Sequence, residues 1–271
     1  MKDTLLVLTP TLGRSAFLEE TRASVASLGP DVLHVMVCPL NRIADLRLRY
    51  PECRVVADAG PAGGIYGALN AGLTAVGEDW DWFTYINDDD TLGPDFGTML
   101  RAHLHQTTPE DVTYGNVRLI DESSEPFGYV TTERNPRYLP HILHQHISPL
   151  NQQGMLFSRR VVAELGGFDL RYKLCADLDF WVRACAAGRE FRYYPLEVGQ
   201  FRVRPGQLSG DVGLTRLEFS EVVRRNLASP PGINELRFAR LRYRWQNLPR
   251  YLTRLRRVGW RTSEEVLSGG T

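Results

Sequence analysis

The chain has 271 residues, no formal net charge, 43% hydrophobic and 24% charged residues, an ordinary globular composition. That length fits one large domain with an appendage or two small ones, and zero net charge supplies no global field toward nucleic acid or acidic substrates. No apolar run approaches the ~20 residues of a membrane helix, so no spanning segment is expected.

In chain order, residues 4–9 read as a strand and Pro10-Thr11-Leu12-Gly13 as a loop, after which Leu18, Thr21, Val25 and Leu28 repeat at helical spacing. Met1-Lys2-Asp3 enters that strand with no apolar leader and no small-residue cleavage site, which points to the cytosol. Residues 32–37 form a second strand, 43–50 a helix and 54–57 a third strand. Gly63-Gly64 opens a further helix whose buried face is Ile65, Leu69, Gly72, Leu73 and Val76. Residues 82–86 are a fourth strand, and Pro94 suits the first position of the next helix. This rhythm predicts an α/β fold, a mostly parallel central sheet with helices on both faces.

After residues 112–119 the alternation breaks, and residues 121–150, rich in Pro, His and charge, read as loops or a lid. Order returns with a strand at 154–158, helices at 160–165 and 177–187, and a strand at 191–194. His141, His144 and His146 lack a partner carboxylate or an i, i+4 pair, so polar loop packing is expected there rather than a metal. Cys38, Cys53, Cys175 and Cys185 form no CxxC pair and read as buried reduced thiols. From Pro230 the chain becomes basic: nine arginines from Arg237 to Arg261 face only Glu235, Glu264 and Glu265, interleaved with residues such as Trp245 and Trp260. Such a helix can lie on an anionic bilayer as a peripheral contact. The favoured expectation is a C-terminal helical extension, residues 229–271, packed on the main domain or on a second copy as a homo-oligomer.

The sharpest feature is the junction where Trp82-Phe83-Thr84-Tyr85-Ile86 runs into Asn87-Asp88-Asp89-Asp90. Adjacent acids repel and resist desolvation, so three at a strand's carboxyl end need a reason, and a hard divalent cation bound through oxygen is the strongest. Open α/β sheets also bind their ligands just beyond the carboxyl ends of strands. If the segment is extended, Asp88 and Asp90 point the same way and Asp89 points away, toward a structural or helix-capping role. Further on, Phe180, Trp181, Ala184 and Cys185 make a buried helical stripe. Asp177 precedes Trp181 by one helical repeat and shares that inward face, whereas Asp179 stands one repeat before Arg183 and should form an exposed ion pair. Asp177 is therefore the better candidate general base.

Several short motifs, in one order, resemble the family 2 inverting glycosyltransferases, whose nucleotide-diphosphosugar-binding fold is called GT-A. They are Thr9-Pro10-Thr11 with Arg14, the helix Gly64-Ile65-Tyr66-Gly67-Ala68-Leu69-Asn70-Ala71-Gly72, the DXD-like Asn87-Asp88-Asp89-Asp90, and Gly166-Gly167-Phe168-Asp169 followed by Ala176-Asp177-Leu178-Asp179-Phe180-Trp181. The likeness spans about residues 4–210 and implies one glycosyltransferase domain over 1–228, with a nucleotide-sugar half at about 1–120 and an acceptor half at about 121–228.

The resemblance implies donor contacts at Thr9, Pro10, Thr11, Arg14, Gly64, Asn70, Asn87, Asp88, Asp89 and Arg204. It implies a divalent metal, Mn2+ or Mg2+, at Asp90 and Asp88, and acceptor contacts at Gln152, Asp179 and Trp181. Asp177 matches the acid of the family's Glu-Asp motif, with Ala176 in place of the Glu. Relatives carry an acid after the second strand, where this chain has Cys38-Pro39-Leu40-Asn41, so a UDP-sugar is only the default donor. Arg204, in a late loop beginning at Phe201, stands where relatives often have a metal-reaching His and offers a cation for the diphosphate. The expected acceptor is a glycan, a lipid-linked sugar or a small molecule. Two rivals stand beside this reading. A sugar nucleotidyltransferase would want a glycine- and lysine-rich first loop, and Pro10-Thr11-Leu12-Gly13-Arg14 has one glycine and no lysine. A catalytically degenerate nucleotide-sugar-binding partner subunit would account for Ala176 and Arg204.

Overall fold

Strand β1 (Leu5–Pro10) is buried along its whole length and lies between two parallel neighbours, β2 (Val32–Cys38) and β4 (Trp82–Tyr85). Helix α1 (Leu18–Ala26) precedes β2, and α2 (Ile43–Arg49) leads to β3 (Arg54–Ala57), the parallel edge strand beside β2. Helix α3 (Gly64–Val76) then crosses back onto the sheet. It sits close because Gly72 faces Leu8 and Val37, whose side chains would lie 2.9 and 2.8 Å from an added Cβ. Next come β5 (Thr91–Leu92), α4 (Phe96–Leu104), β6 (Val112–Ile120), β7 (Pro126–Tyr129), α5 (Leu139–Leu143), β8 (Leu156–Ser158), α6 (Arg159–Leu165), α7 (Ala176–Ala186), β9 (Phe191–Arg202), α8 (Val212–Asn226), α9 (Ile233–Gln246) and α10 (Leu248–Val258). These elements come from a computed structural model that describes residues 4–204, 207 and 211–258.

The sheet runs β3-β2-β1-β4-β8-β6-β9-β5, with β7 on β6. The expected parallel block is its first four strands. Beyond them β8 is antiparallel to both β4 and β6, β6 and β9 are parallel, and β5 is antiparallel to β9, so the sheet as a whole is mixed. Strand β9 extends well past the expected residues 191–194. Its Pro195 reads as a strand end, but the register with β6 slips between Tyr114 and Asn116, and that bulge accommodates the missing N–H. Phe201 and Arg202, expected in a loop, therefore close the strand.

Two other expectations change. Pro94 lies in a turn, and α4 starts at Phe96. Residues 121–150, expected as loops or a lid, include β7 and α5 between loop segments, and the buried Glu133 there pairs with Arg242 of α9. The partner of that acid lies more than a hundred residues away, out of reach of local patterning. The inner face of α9 buries Ala239 and Tyr243 against Ile142. Asn247 receives the Thr132 N–H, and Arg250 reaches the Val130 carbonyl and Asn116. Among the described residues, no helix is long and apolar enough to cross a membrane.

Candidate functional site

The acids after β4 do not continue an extended strand. The Asp90 N–H donates back to the Asn87 carbonyl at 3.2 Å, so residues 87–90 form a turn that breaks the alternation of side chains. The turn sends Asp90 inward, to 0% exposure. Asp90 Oδ1 accepts the Arg202 N–H at 2.8 Å and Oδ2 accepts the Gln153 amide at 2.7 Å, with Asn87 Nδ2 at 3.4 Å. Burial, reinforced by the charge of Asp89, pushes its carboxyl up to about 7. Asp90, expected as a metal ligand, is thus buried with both oxygens hydrogen-bonded to protein groups.

Asp88 and Asp89 have different partners. Asp88 Oδ2 accepts the Thr11 hydroxyl at 2.6 Å, and Ser15 holds the Asp88 carbonyl at 2.7 Å. Burial raises the Asp88 carboxyl, the Thr11 hydrogen bond opposes that, and the neighbouring Asp89 charge adds to it. Asp89 is 8% exposed and pairs with the guanidinium of Arg204 at 2.8 Å. Behind them lies Arg202, a fully buried arginine. It donates to the Asp89 and Asp121 carbonyls, each at 2.8 Å, to Ser124 at 2.9 Å and to Glu20 at 2.7 Å, with its guanidinium 4.1 Å over the Phe17 ring. Gln153 reaches Asp90 because its segment lies flat on β9: a Cβ at Gly199 would sit 2.4 Å from the Gln153 carbonyl.

Asp177, in the first turn of α7, is half-buried. Its Oδ1 accepts the Leu178 N–H at 2.8 Å and lies 3.0 Å from the Tyr66 hydroxyl, which is also 3.0 Å from the Leu174 carbonyl. Desolvation raises the Asp177 carboxyl, against the pull of those hydrogen bonds. Glu218 of α8 fixes this helix start by accepting the N–H groups of Lys173, Leu174 and Cys175 at 2.8 to 2.9 Å. Tyr85, the last residue of β4, is pushed up first by burial and then by the charges of Asp177 and Asp90; its ring meets that of Phe168 at 5.5 Å, and Phe168 stacks on Tyr66 at 5.7 Å.

Other expected residues fall elsewhere. Thr9 is buried with its hydroxyl 2.9 Å from His34 Nε2, not lining a ligand surface, and burial pushes His34 down to about 4. Pro10 is buried, Arg14 is exposed in the following loop, and Gly64 starts α3 with a φ of 56°. Asn70 is a pin within the scaffold, with its amide bonded to both the N–H and the carbonyl of Phe168 at 2.8 Å. Asp179 does pair with Arg183 at 2.6 Å, but the pair is not exposed: Asp179 is buried and also accepts from Asn226 at 3.0 Å. Trp181 belongs to the core and presents no face to an acceptor. Gln152 is buried with neither amide atom partnered among the described residues.

Sequence reasoning missed Tyr66, Gln153, Arg202, Glu218 and Asp58. Only Asp58 had a local signal, an acid directly after a strand; it follows β3 at the same edge as Cys38, whose carbonyl takes its N–H at 2.8 Å.

Among the described residues, no group of three or more His, Cys, Asp or Glu side chains forms a metal-binding set. A cation of the magnesium type needs less, because one or two carboxylates suffice when substrate phosphates and water complete its shell. Asp88 and Asp89 meet that need, and the buried Asn87 Oδ1 beside them has no protein partner among the described residues. The residues present fit such an ion.

No protein-family model matches this sequence, and no curated protein is significantly similar to it. Solved structures do resemble the fold. S. aureus TarS 1-349 in complex with UDP-GlcNAc superposes with a TM-score of 0.61 at 12% identity, covering 93% of this chain and 79% of that one. The mannosyltransferase PcManGT from Pyrobaculum calidifontis, in complex with GDP-Man and Mn2+, gives 0.57 at 17% identity, covering 97% and 77%. At these identities the likeness establishes the fold, that of nucleotide-sugar glycosyltransferases.

Proposed function

We propose that the chain is a glycosyltransferase that moves a sugar from a nucleotide-diphosphosugar to an acceptor hydroxyl with inversion. One observation carries the reading. On this fold, a turn offering two carboxylates and a guanidinium (Asp88, Asp89, Arg204) follows β4, whose last residue, Tyr85, connects through the rings of Phe168 and Tyr66 to Asp177, a carboxylate raised by burial. The acceptor hydroxyl attacks the anomeric carbon while the free oxygen of Asp177 takes its proton. The bond from that carbon to the diphosphate breaks in the same displacement, and the electron pair leaves on the nucleoside diphosphate. Arg204 binds the departing charge, and Tyr66 and the Leu178 N–H orient the base. A divalent cation held by Asp88 and Asp89 would supply charge neutralisation of the diphosphate when bound. Asp58 and the loop from Thr11 to Arg14 are assigned to the nucleoside, and the unpartnered amide of Gln152 to a sugar or acceptor hydroxyl.

The donors to try first are UDP-sugars and GDP-mannose, with Mn2+ or Mg2+ and with glycan, lipid-linked and small-molecule acceptors. Nucleoside diphosphate release is expected. Asp177→Asn should bind donor normally and turn over on the order of a hundredfold slower or worse. Near-normal turnover in that variant refutes the base assignment. Donor binding without transfer or slow hydrolysis would favour the nucleotide-sugar-binding subunit, the reading to which Ala176 lends weight.

A further inference from the structure

Helix α9 has two unlike faces. Its inner face is committed: Ala239 and Tyr243 are buried, and Arg242 pairs with Glu133. On the outer face Phe238, Leu241 and Trp245 are 58%, 69% and 78% exposed. At 3.6 residues per turn these three span about 60° of the helix, and Arg237, Arg240 and Arg244 occupy the adjoining span of about 60°. None of those three arginines has an ion-pair partner among the described residues, and the helix's one acid, Glu235, faces His141 at 4.0 Å.

An exposed apolar stripe marks a contact surface, and the arginines beside it say what it contacts. Two copies joined symmetrically through this face would crowd six guanidinium groups together. An anionic lipid surface satisfies both halves: the apolar side chains enter the acyl boundary while arginines on their long stems reach the headgroups. The inner-face anchors hold the helix as a fixed part of the domain, so it meets the membrane already folded. We propose that α9 docks the protein on an anionic phospholipid bilayer, lying in its surface.

The test is co-sedimentation of the full chain with vesicles of phosphatidylcholine alone and of phosphatidylcholine mixed with phosphatidylglycerol. Binding is expected to the mixed vesicles and to weaken with salt. At about 1 kcal/mol per arginine near an anionic surface, the combined Arg237→Gln, Arg240→Gln, Arg244→Gln variant should partition roughly a hundredfold less. Leu241→Ser with Trp245→Ser should also abolish binding, and unchanged circular dichroism in both variants establishes that they fold. No sedimentation, equal binding to both vesicle types, or full binding by either variant overturns the proposal. So does a wild-type dimer in sedimentation equilibrium that the Leu241→Ser, Trp245→Ser variant loses while no vesicle binding is seen.

Discussion

Replacing Asp90 and Asp89 by alanine, one at a time, separates architecture from ligand binding within a single turn. Asp90→Ala strips the buried Arg202 N–H and the Gln153 amide of their acceptor, bonds of 2.8 and 2.7 Å. A buried donor left unsatisfied costs roughly 1–3 kcal/mol, and relief of the buried carboxyl's own desolvation offsets part of the sum, leaving about 2–4 kcal/mol. For a chain of this size that is a fall in Tm of roughly 5–15 °C. Asp89→Ala loses only a partly exposed ion pair with Arg204, worth up to about 1 kcal/mol, and its Tm should move by a few degrees at most. Its nucleoside diphosphate affinity in Mn2+ should nevertheless collapse. Calorimetric melting without ligand and titration with nucleoside diphosphate and Mn2+ read the two effects independently. An Asp90→Ala protein that melts like wild type yet loses the Mn2+-dependent affinity would return the ligand role to Asp90 and refute the inward turn.

Two further outcomes rest on raised carboxyls. Tyr66→Phe removes a hydroxyl that stabilises ionised Asp177, so the acid limb of the pH–rate profile should move upward, with activity reduced on the acid side and recovering toward wild type as pH rises; an unmoved limb would detach Tyr66 from the base. Asp90, raised in the fold to about 7, favours the folded state fully only below its unfolded value, and that contribution fades as pH climbs to about 7. Wild type should therefore lose Tm relative to Asp90→Asn between pH 5 and 7 and run parallel to it above, and a constant difference across that range would show that Asp90 does not titrate there.

What could be read in the sequence is what local pattern encodes. Strands β1 to β4 and helix α3 appear as apolar periods because they are buried on regular faces, and Arg54–Ala57 matches the expected third strand end to end. The carboxyl-edge location of the acids was legible for the same reason. Their division of labour was not, because the group that draws Asp90 inward is a backbone N–H more than a hundred residues away, on a strand expected to end at residue 194. Asn70 shows the same limit: in a motif it looks like a ligand contact, and in space it pins Phe168. Glu218 carries no local signature at all, since the helix start it caps lies on the far side of β9 in the chain.

The two acidic groups follow one pattern. Asp90 beside Asp89 and Asp179 beside Asp177 are each the inner member, fully engaged by protein donors: Arg202 N–H and Gln153 in one case, Arg183 and Asn226 in the other. The outer members keep at most a partial set of protein partners. A carboxylate on a surface turn swings freely, and reaction geometry suffers from small displacements. Tying the inner acid into the core immobilises the backbone on which its neighbour stands. Arg202 extends this, since one guanidinium joins the acidic turn at the Asp89 carbonyl to Glu20 of α1 and to the segment after β6. Buried charge is a costly way to stabilise a fold, and apolar packing would do so more cheaply. Its concentration behind these two turns is understandable if what is gained is position rather than stability. Substitutions of the inner acids should then lower stability first and activity only through it, whereas those of the outer acids should lower activity in a protein that melts normally.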